Sequence, residues 1–596
     1  MSAIKLVPAL LGAAACFSLP ATTPATANLS PQAMRLLDPS AMFLQSCGQT
    51  ARSMLPERVQ FAQAGDMEAW YKTRPPLYDD LGGIGFEITT ASEEAQRYFN
   101  QGFALLYGFN HQEAIRAFRE AQRLDPDCAM CFWGEAFAHG PNINAPMDPR
   151  VLGATRAALA RAEELKIGAS ERERMLIDAV AIRYRNGAQT DLQADAQSDE
   201  DAFADAMLQV AAAYPLDDHI AAIAAEAQMN TQPWDYWGAG GFTPKGRIGH
   251  ALRLVEGIIA RDPNHAQASH LYIHLMESSA NPAQAEAAAD RLAAPLVPNS
   301  GHLVHMPAHL YYRIGRFADS IRANVEAARV DEEYLATSPI QGLYRFGYYP
   351  HNVHFIVTSA QMAGDMETAL SQAEKLREIL SVEVTSQFPW TQPVDAAPYF
   401  AYAQFGTPED ILALEAPDSR LPYVVAAHHY ARAVAYALLR DEASFAAELT
   451  AMRALGAETD WSAMIDGGVP VPVLLALADK VAQARLHLAN NAPERAIPLL
   501  EEARALEADV NYMEPPYWYY PVSQTLGAAH YMTGDAAKAR DAFRAALVTQ
   551  PGNGWALWGL ARAEEALSRP ASAAAAEAAF AKAWLGEPGW LSMARL

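Results

Sequence analysis

From Ala95 onward the chain carries a 34-residue spacing of small and large residues. Counting Ala95 as position 1, Gly102 stands at 8, Ala114 at 20, Phe118 at 24, Ala121 at 27 and Pro126 at 32. The same order returns near the C-terminus. With Pro521 as position 2, Leu526 and Gly527 fall at 7 and 8, Ala539 at 20, Phe543 at 24, Ala546 at 27 and Pro551 at 32. A unit of this length cannot bury its own apolar face, so it has to stack on neighbours. The residue types say how. Small residues let two helices approach closely, the aromatic fills the gap behind them, and proline ends the second helix. Alanine is abundant and glycine sparse, and no stretch shows strand alternation. The fold class expected is therefore all-α, with paired helices stacked as an α-solenoid.

Weaker copies are placed by their turns. Ala285 at position 20 starts a unit at Ala266, Gly315 at position 15 starts one at Gly301, and Gly364 at position 15 starts one at Pro350, with Ala369 at 20. Asn491 to Ala496 marks one more. Between the units, 140–150, 186–200, 230–245, 336–350, 386–400 and 510–521 read as loops or inserts. Residues 28–94 precede the register and read as an N-terminal helical cap or arm, which an exposed first face requires. The chain then divides into repeats over 95–263, a histidine-rich centre over 264–385, and C-terminal repeats with a cap over 386–596.

Eight of the 16 histidines fall between His265 and His354. They are patterned as His270 and His274; His302, His305 and His309; and His351 and His354, spacings that share a helix face. In the register fixed by turns and packing residues, position 5 is His270, His305 and His354. Position 9 is His274, His309 and Thr358; position 2 is Gln267, His302 and His351; position 12 is Glu277, Tyr312 and Gln361. Clustered imidazoles with one carboxylate make a transition-metal site, with Zn, Cu or Fe as the ion. Glu277 is a candidate ligand, an outer hydrogen-bond acceptor or a general base. Leu271 follows His270, so the metalloprotease motif is absent. A histidine on a helix face also serves plain packing or hydrogen bonding. The competing reading is a polar groove that holds a protein or peptide and no metal. His111, His487 and His530 read as structural, adjacent His428 and His429 cannot share one face, and Met306 beside Pro307 reads as core. The aromatic C-terminal section, with Tyr517 to Tyr520, Trp555 and Trp558, reads as packing and capping.

The two clear units resemble the tetratricopeptide-repeat superfamily. That resemblance implies helix-turn-helix repeats coiled into a superhelix with a concave groove, with first helices lining the concave wall and positions 2, 5, 9, 12 and 13 facing it, which would gather the histidines of three units. The run Gly301 to Arg313, which contains GHLVHMPAH, is similar to a segment in a group of exported bacterial repeat proteins. So are 140–146 and 125–131. The likeness carries no activity with it.

A formal net charge of −24 argues against nucleic acid as a partner. The N-terminus has Lys5, an apolar stretch from Leu6 to Leu19, and Ala25-Thr26-Ala27 before Asn28. This is the pattern of a signal peptide cleaved after Ala27 and of a periplasmic or otherwise exported protein. Cys16 lacks the upstream leucine of a lipoprotein site. No later run of ~18 apolar residues predicts integral membrane association. Cys47, Cys128 and Cys131 remain. They leave open a structural disulfide (local or through Cys47), buried thiols, and redox or soft-metal chemistry.

Overall fold

A computed structural model describes residues 67–185, 192–294, 296–340 and 342–596. The expected signal segment, Cys47 and the first part of the cap lie outside the described residues. Among the described residues the chain is helix after helix, packed in sequential pairs, with two isolated bridges and no strands. None of these helices is long and apolar enough to cross a membrane.

The first unit shows why the period works. Helix Glu93–Tyr107 is capped by Ser92, whose side chain accepts from the Ala95 N–H. Its partner, His111–Leu124, delivers the fully buried Phe118. A Cβ on Gly102 would sit 2.8 Å from the Phe118 ring, and one on Gly134 in the next helix would sit 2.5 Å from it. Phe543 is held in the same way at the C-terminal unit, where a Gly527 Cβ would lie 2.8 Å from its ring. Pro126 and Pro551 then follow the ends of the second helices, His111–Leu124 and Ala536–Thr549, at the position the register predicts.

The weaker units begin where their turns place them: helices Ala266–Glu277, Gly301–His305 and Tyr349–Ala363 start the three histidine-bearing units. Gly364 ends the last of these in a left-handed turn (φ 74°), against which the Trp584 ring packs. Several of the stretches read as loops are helical in part, 336–350 among them with a π turn over Tyr344–Tyr348. Leu192–Ala213 is helix, and Gln392–Phe405 is helix although it contains Pro393 and Pro398. Pro393 sits in the first turn, where its missing N–H costs nothing. The stretch 386–400 reads as a loop, but burial of Ala396, Ala397, Tyr399 and Phe400 favours the helix.

The cap arm after helix Met67–Tyr71 is irregular and is held by side chains. Arg116 donates to Thr73 and Arg74 carbonyls, Gln101 donates to the Pro76 carbonyl, and the Thr89 hydroxyl donates to Glu173. Cys128 and Cys131 form a disulfide at the start of helix Ala129–Ala138. Of the three cysteine options, the local pairing is the one found.

The C-terminal section reaches back to the end of the Tyr349–Ala363 helix. Trp555 donates its indole N–H to the Gln361 carbonyl (2.8 Å), and the Leu585 N–H donates to the Ala363 carbonyl (2.8 Å). The C-terminal aromatic section thus packs against the third histidine unit, in the capping role expected of it.

Two tests follow from this packing. Gly102→Ala and Gly527→Ala should each lower stability by about 1–3 kcal/mol in urea unfolding despite better helix propensity, because the Phe rings must move. His111 is locked between the Ala138 carbonyl and the Asn142 amide, and burial pushes its imidazole down to about 4. The unfolded chain therefore takes up this proton first. The stabilising contribution is intact above about pH 6.5 and is lost as pH falls toward 4. His111→Asn should lose roughly 2 kcal/mol less than wild type between pH 7 and pH 5.

Candidate metal centre

Three first helices build the site. Ala266–Glu277 carries His270, His274 and Glu277. Gly301–His305 runs through Met306 into Pro307–Arg313 and carries His302, His305 and His309. Tyr349–Ala363 carries His351 and His354. Pro307 removes one helical hydrogen bond, yet Met306 keeps helical angles (φ −52°, ψ −38°) and stays fully buried, so the segment continues as one rod. A π turn over Tyr344–Tyr348 feeds the third helix. All seven histidines are buried except His351, which is half-buried.

The outer ring nitrogens are committed. His270 Nδ1–H donates to Gln267 Oε1 (3.0 Å), and the Gln267 amide is oriented by donating its Nε2–H to Glu226 (3.2 Å). His305 Nδ1–H donates to Asn324 Oδ1 (2.5 Å), with the Asn324 amide oriented by donating to the Ser320 carbonyl (2.8 Å). His274 and His309 donate their Nδ1–H groups to the two oxygens of one carboxylate, Glu277, each at 2.7 Å. In all four rings the proton is on Nδ1, so the lone pair is on Nε2. The Nε2 atoms of His274 and His305 are buried with no hydrogen-bond partner, as is His302 Nδ1. An unsatisfied buried polar atom costs roughly 1–3 kcal/mol.

The inner nitrogens converge. One ring nitrogen from each of His270, His274 and His302 lies within 4.8 Å of those of the other two, and the same holds for His305, His309 and His351. His270 Nε2 faces His302 Nε2 at 3.1 Å, and His309 Nε2 faces His351 Nε2 at 3.3 Å. Two imidazoles on a tetrahedral ion with ~2.0–2.1 Å bonds stand ~3.3 Å apart.

Burial keeps the imidazoles of His270, His302, His305 and His351 well below the ordinary range, and neighbouring rings add to this; burial lowers His274 as well. Neutral imidazole is the form that binds a cation. Burial pushes the Glu277 carboxyl up, but His309 and the hydrogen bonds from His274 and His309 outweigh it and hold the group at about 2.

Aromatic rings wall the cluster. Phe109 packs on His270 and His302 with centroids 4.8 Å away in both cases. Trp234 meets His274 edge-on at 5.2 Å, Tyr348 lies 4.9 Å from His302, and Phe355 lies 4.7 Å from His309. Phe109 (φ 53°) and Trp234 (φ 64°) both hold left-handed backbone, which costs a non-glycine residue about 1–3 kcal/mol. The 510–521 segment covers the cluster. The Tyr512 hydroxyl donates to Glu277 (3.2 Å), and Arg313 donates to the Glu277 carbonyl (2.7 Å) while lying over the Tyr512 ring.

Of the residues singled out in the sequence, the structure gathers His270, His274, His302, His305, His309, His351 and Glu277. His354 stands outside both groups. Its Nε2–H donates to the Tyr519 hydroxyl (3.1 Å), which in turn donates to the Pro393 carbonyl (3.2 Å). His429 donates to Glu448, and His428 packs edge-on against Tyr399. Sequence reasoning missed Asn324, Glu226, Phe109, Trp234 and Tyr512. Asn324 did leave a signal. Counting from Gly301 it occupies position 24, where the clear units have phenylalanine.

The family model described as tetratricopeptide repeat matches residues 95–128. No curated protein matches the chain. Among solved structures, the crystal structure of yeast Tom70 is similar at 12% identity, covering 82% of this chain and 90% of that one, with a TM-score of 0.26. The crystal structure of the P58(IPK) TPR domain is similar at 13% identity, covering 80% and 98%, with a TM-score of 0.19. At those scores neither superposition bears on this chain. Its repeat character rests on the matched unit and on the helix pairs described above.

If the inward nitrogens serve a ligand and not folding, removing one should cost the bare protein little. The chelator-stripped His302→Leu variant should unfold within about 1 kcal/mol of wild type or above it in urea. A loss of several kcal/mol would mark His302 as an ordinary core residue.

Proposed function

We propose that this protein binds transition-metal ions in the interior wall of its helical-repeat scaffold, through His270, His274, His302, His305, His309 and His351. The observation that carries this is the set of four Nε2 lone pairs aimed inward by buried outer partners, Gln267, Glu277 and Asn324. Two of these nitrogens, on His274 and His305, have no hydrogen-bond partner in a dry interior, an arrangement that costs folding free energy. All-imidazole donors suit Zn, Cu or Fe. On this reading Glu277 is the outer anchor of two ligands; both its oxygens are engaged, so it is not the general base. His354 is structural. The N-terminal signal pattern and the Cys128–Cys131 disulfide support an exported, oxidising location.

The second reading is a protein- or peptide-binding scaffold, for which the tetratricopeptide unit at 95–128 speaks. Against it at the histidines, the chain's own Tyr512 and Tyr519 take the space a peptide would need.

Untagged protein should carry at least one transition metal per chain by elemental analysis, and the combined His270→Ala and His305→Ala variant should carry none. A protein that stays metal-free after incubation with Zn, Cu or Fe would sink the reading. Glu277→Gln should retain the metal but bind it roughly 10–100-fold more weakly.

A further inference from the structure

Six imidazoles are more than one tetrahedral ion takes, and they are not arranged around one point. The close nitrogen pairs fall in different groups: His270 with His302 at 3.1 Å, and His309 with His351 at 3.3 Å. Each group closes with one more ring, His274 in the first and His305 in the second. The groups abut. The His274 and His309 centroids are 5.7 Å apart and those of His302 and His305 are 6.0 Å apart, no farther than the 6.2 Å between His274 and His302 within the first group. Glu277 spans the seam, taking one hydrogen bond from a ring of each group.

Resting on the metal-binding reading above, we propose that the cluster is a two-ion centre. One ion is held by His270, His274 and His302, the second by His305, His309 and His351, with Glu277 tying the two sets from behind. Three imidazoles per ion, with no carboxylate or thiolate in either group, is a donor set that copper occupies most tightly among the divalent first-row ions. Three protein ligands also leave a coordination position on each ion. Charge says what fills it. Two divalent ions bring four positive charges into a buried site whose bridging carboxylate supplies one negative charge. Uncompensated buried charge is costly. The ligand class that fits is a small anion shared between the ions, such as hydroxide or azide.

The test uses the full untagged chain, stripped with chelator, loaded with Cu(II) and desalted. Copper per chain is measured by elemental analysis and unpaired spins by electron paramagnetic resonance. Wild type should bind two copper ions and show far fewer than two spins, because a shared bridging anion couples the pair. His302→Gln and His351→Gln should each bind one copper and recover one full, uncoupled spin, with helical circular dichroism reporting that each is folded. One copper with one spin in wild type overturns the pair and leaves the metal-binding reading standing. Two coppers with two independent spins also overturn the shared centre. No copper overturns both. The wild-type stoichiometry and spin count decide the matter even if a variant fails to fold.

Discussion

The spacing between helices governs everything else in this molecule. It is set by aromatic rings lodged against glycines, Phe118 between Gly102 and Gly134 at one end and Phe543 against Gly527 at the other. Where backbones approach this closely, the first helices of successive units run side by side at short range. Residues on the same face of successive first helices, though at different register positions, then meet across helices and not only along them. That is how His302 reaches His270 and how His351 reaches His309, although 32 and 42 residues separate them. The cluster is a product of helix pitch and stacking.

Within that frame the second constraint is a buried charge. Glu277 is fully buried, and its two oxygens accept hydrogen bonds from rings on two different helices. A carboxylate taken out of water has to be compensated by hydrogen-bond donors. Here compensation has a geometric by-product, because it sets the tautomer and tilt of both rings. Gln267 and Asn324 do the same for His270 and His305 with neutral amides, whose own orientation is fixed by Glu226 and the Ser320 carbonyl.

Much of this was legible in the residues, for identifiable reasons. The starts of the histidine-bearing helices were readable because Gly315, Gly364 and Ala285 punctuate the chain at fixed offsets. Those offsets put His270, His274, His305 and His309 at matching positions on neighbouring helices, with His302 and His351 at the helix starts. His354 was placed with them because position 5 matched, but along Tyr349–Ala363 the Tyr519 hydroxyl claims its outer nitrogen. Helix periodicity could not foresee that contact, since Tyr519 is 165 residues away. The stretch 386–400 reads as a loop although Gln392–Phe405 is helix, since local propensity speaks before burial does. The rings of Phe109 and Trp234 were invisible for a related reason: left-handed backbone at a bulky residue is tolerated only where tertiary packing compels it.

The segment that shuts the cluster comes late in the chain. Tyr512 lies 235 residues beyond Glu277, and Tyr519 and Trp555 follow it. Contacts around the cluster therefore join the middle of the chain to its last repeats, so that the histidine-bearing helices and the C-terminal section hold one another in place across more than two hundred residues of sequence.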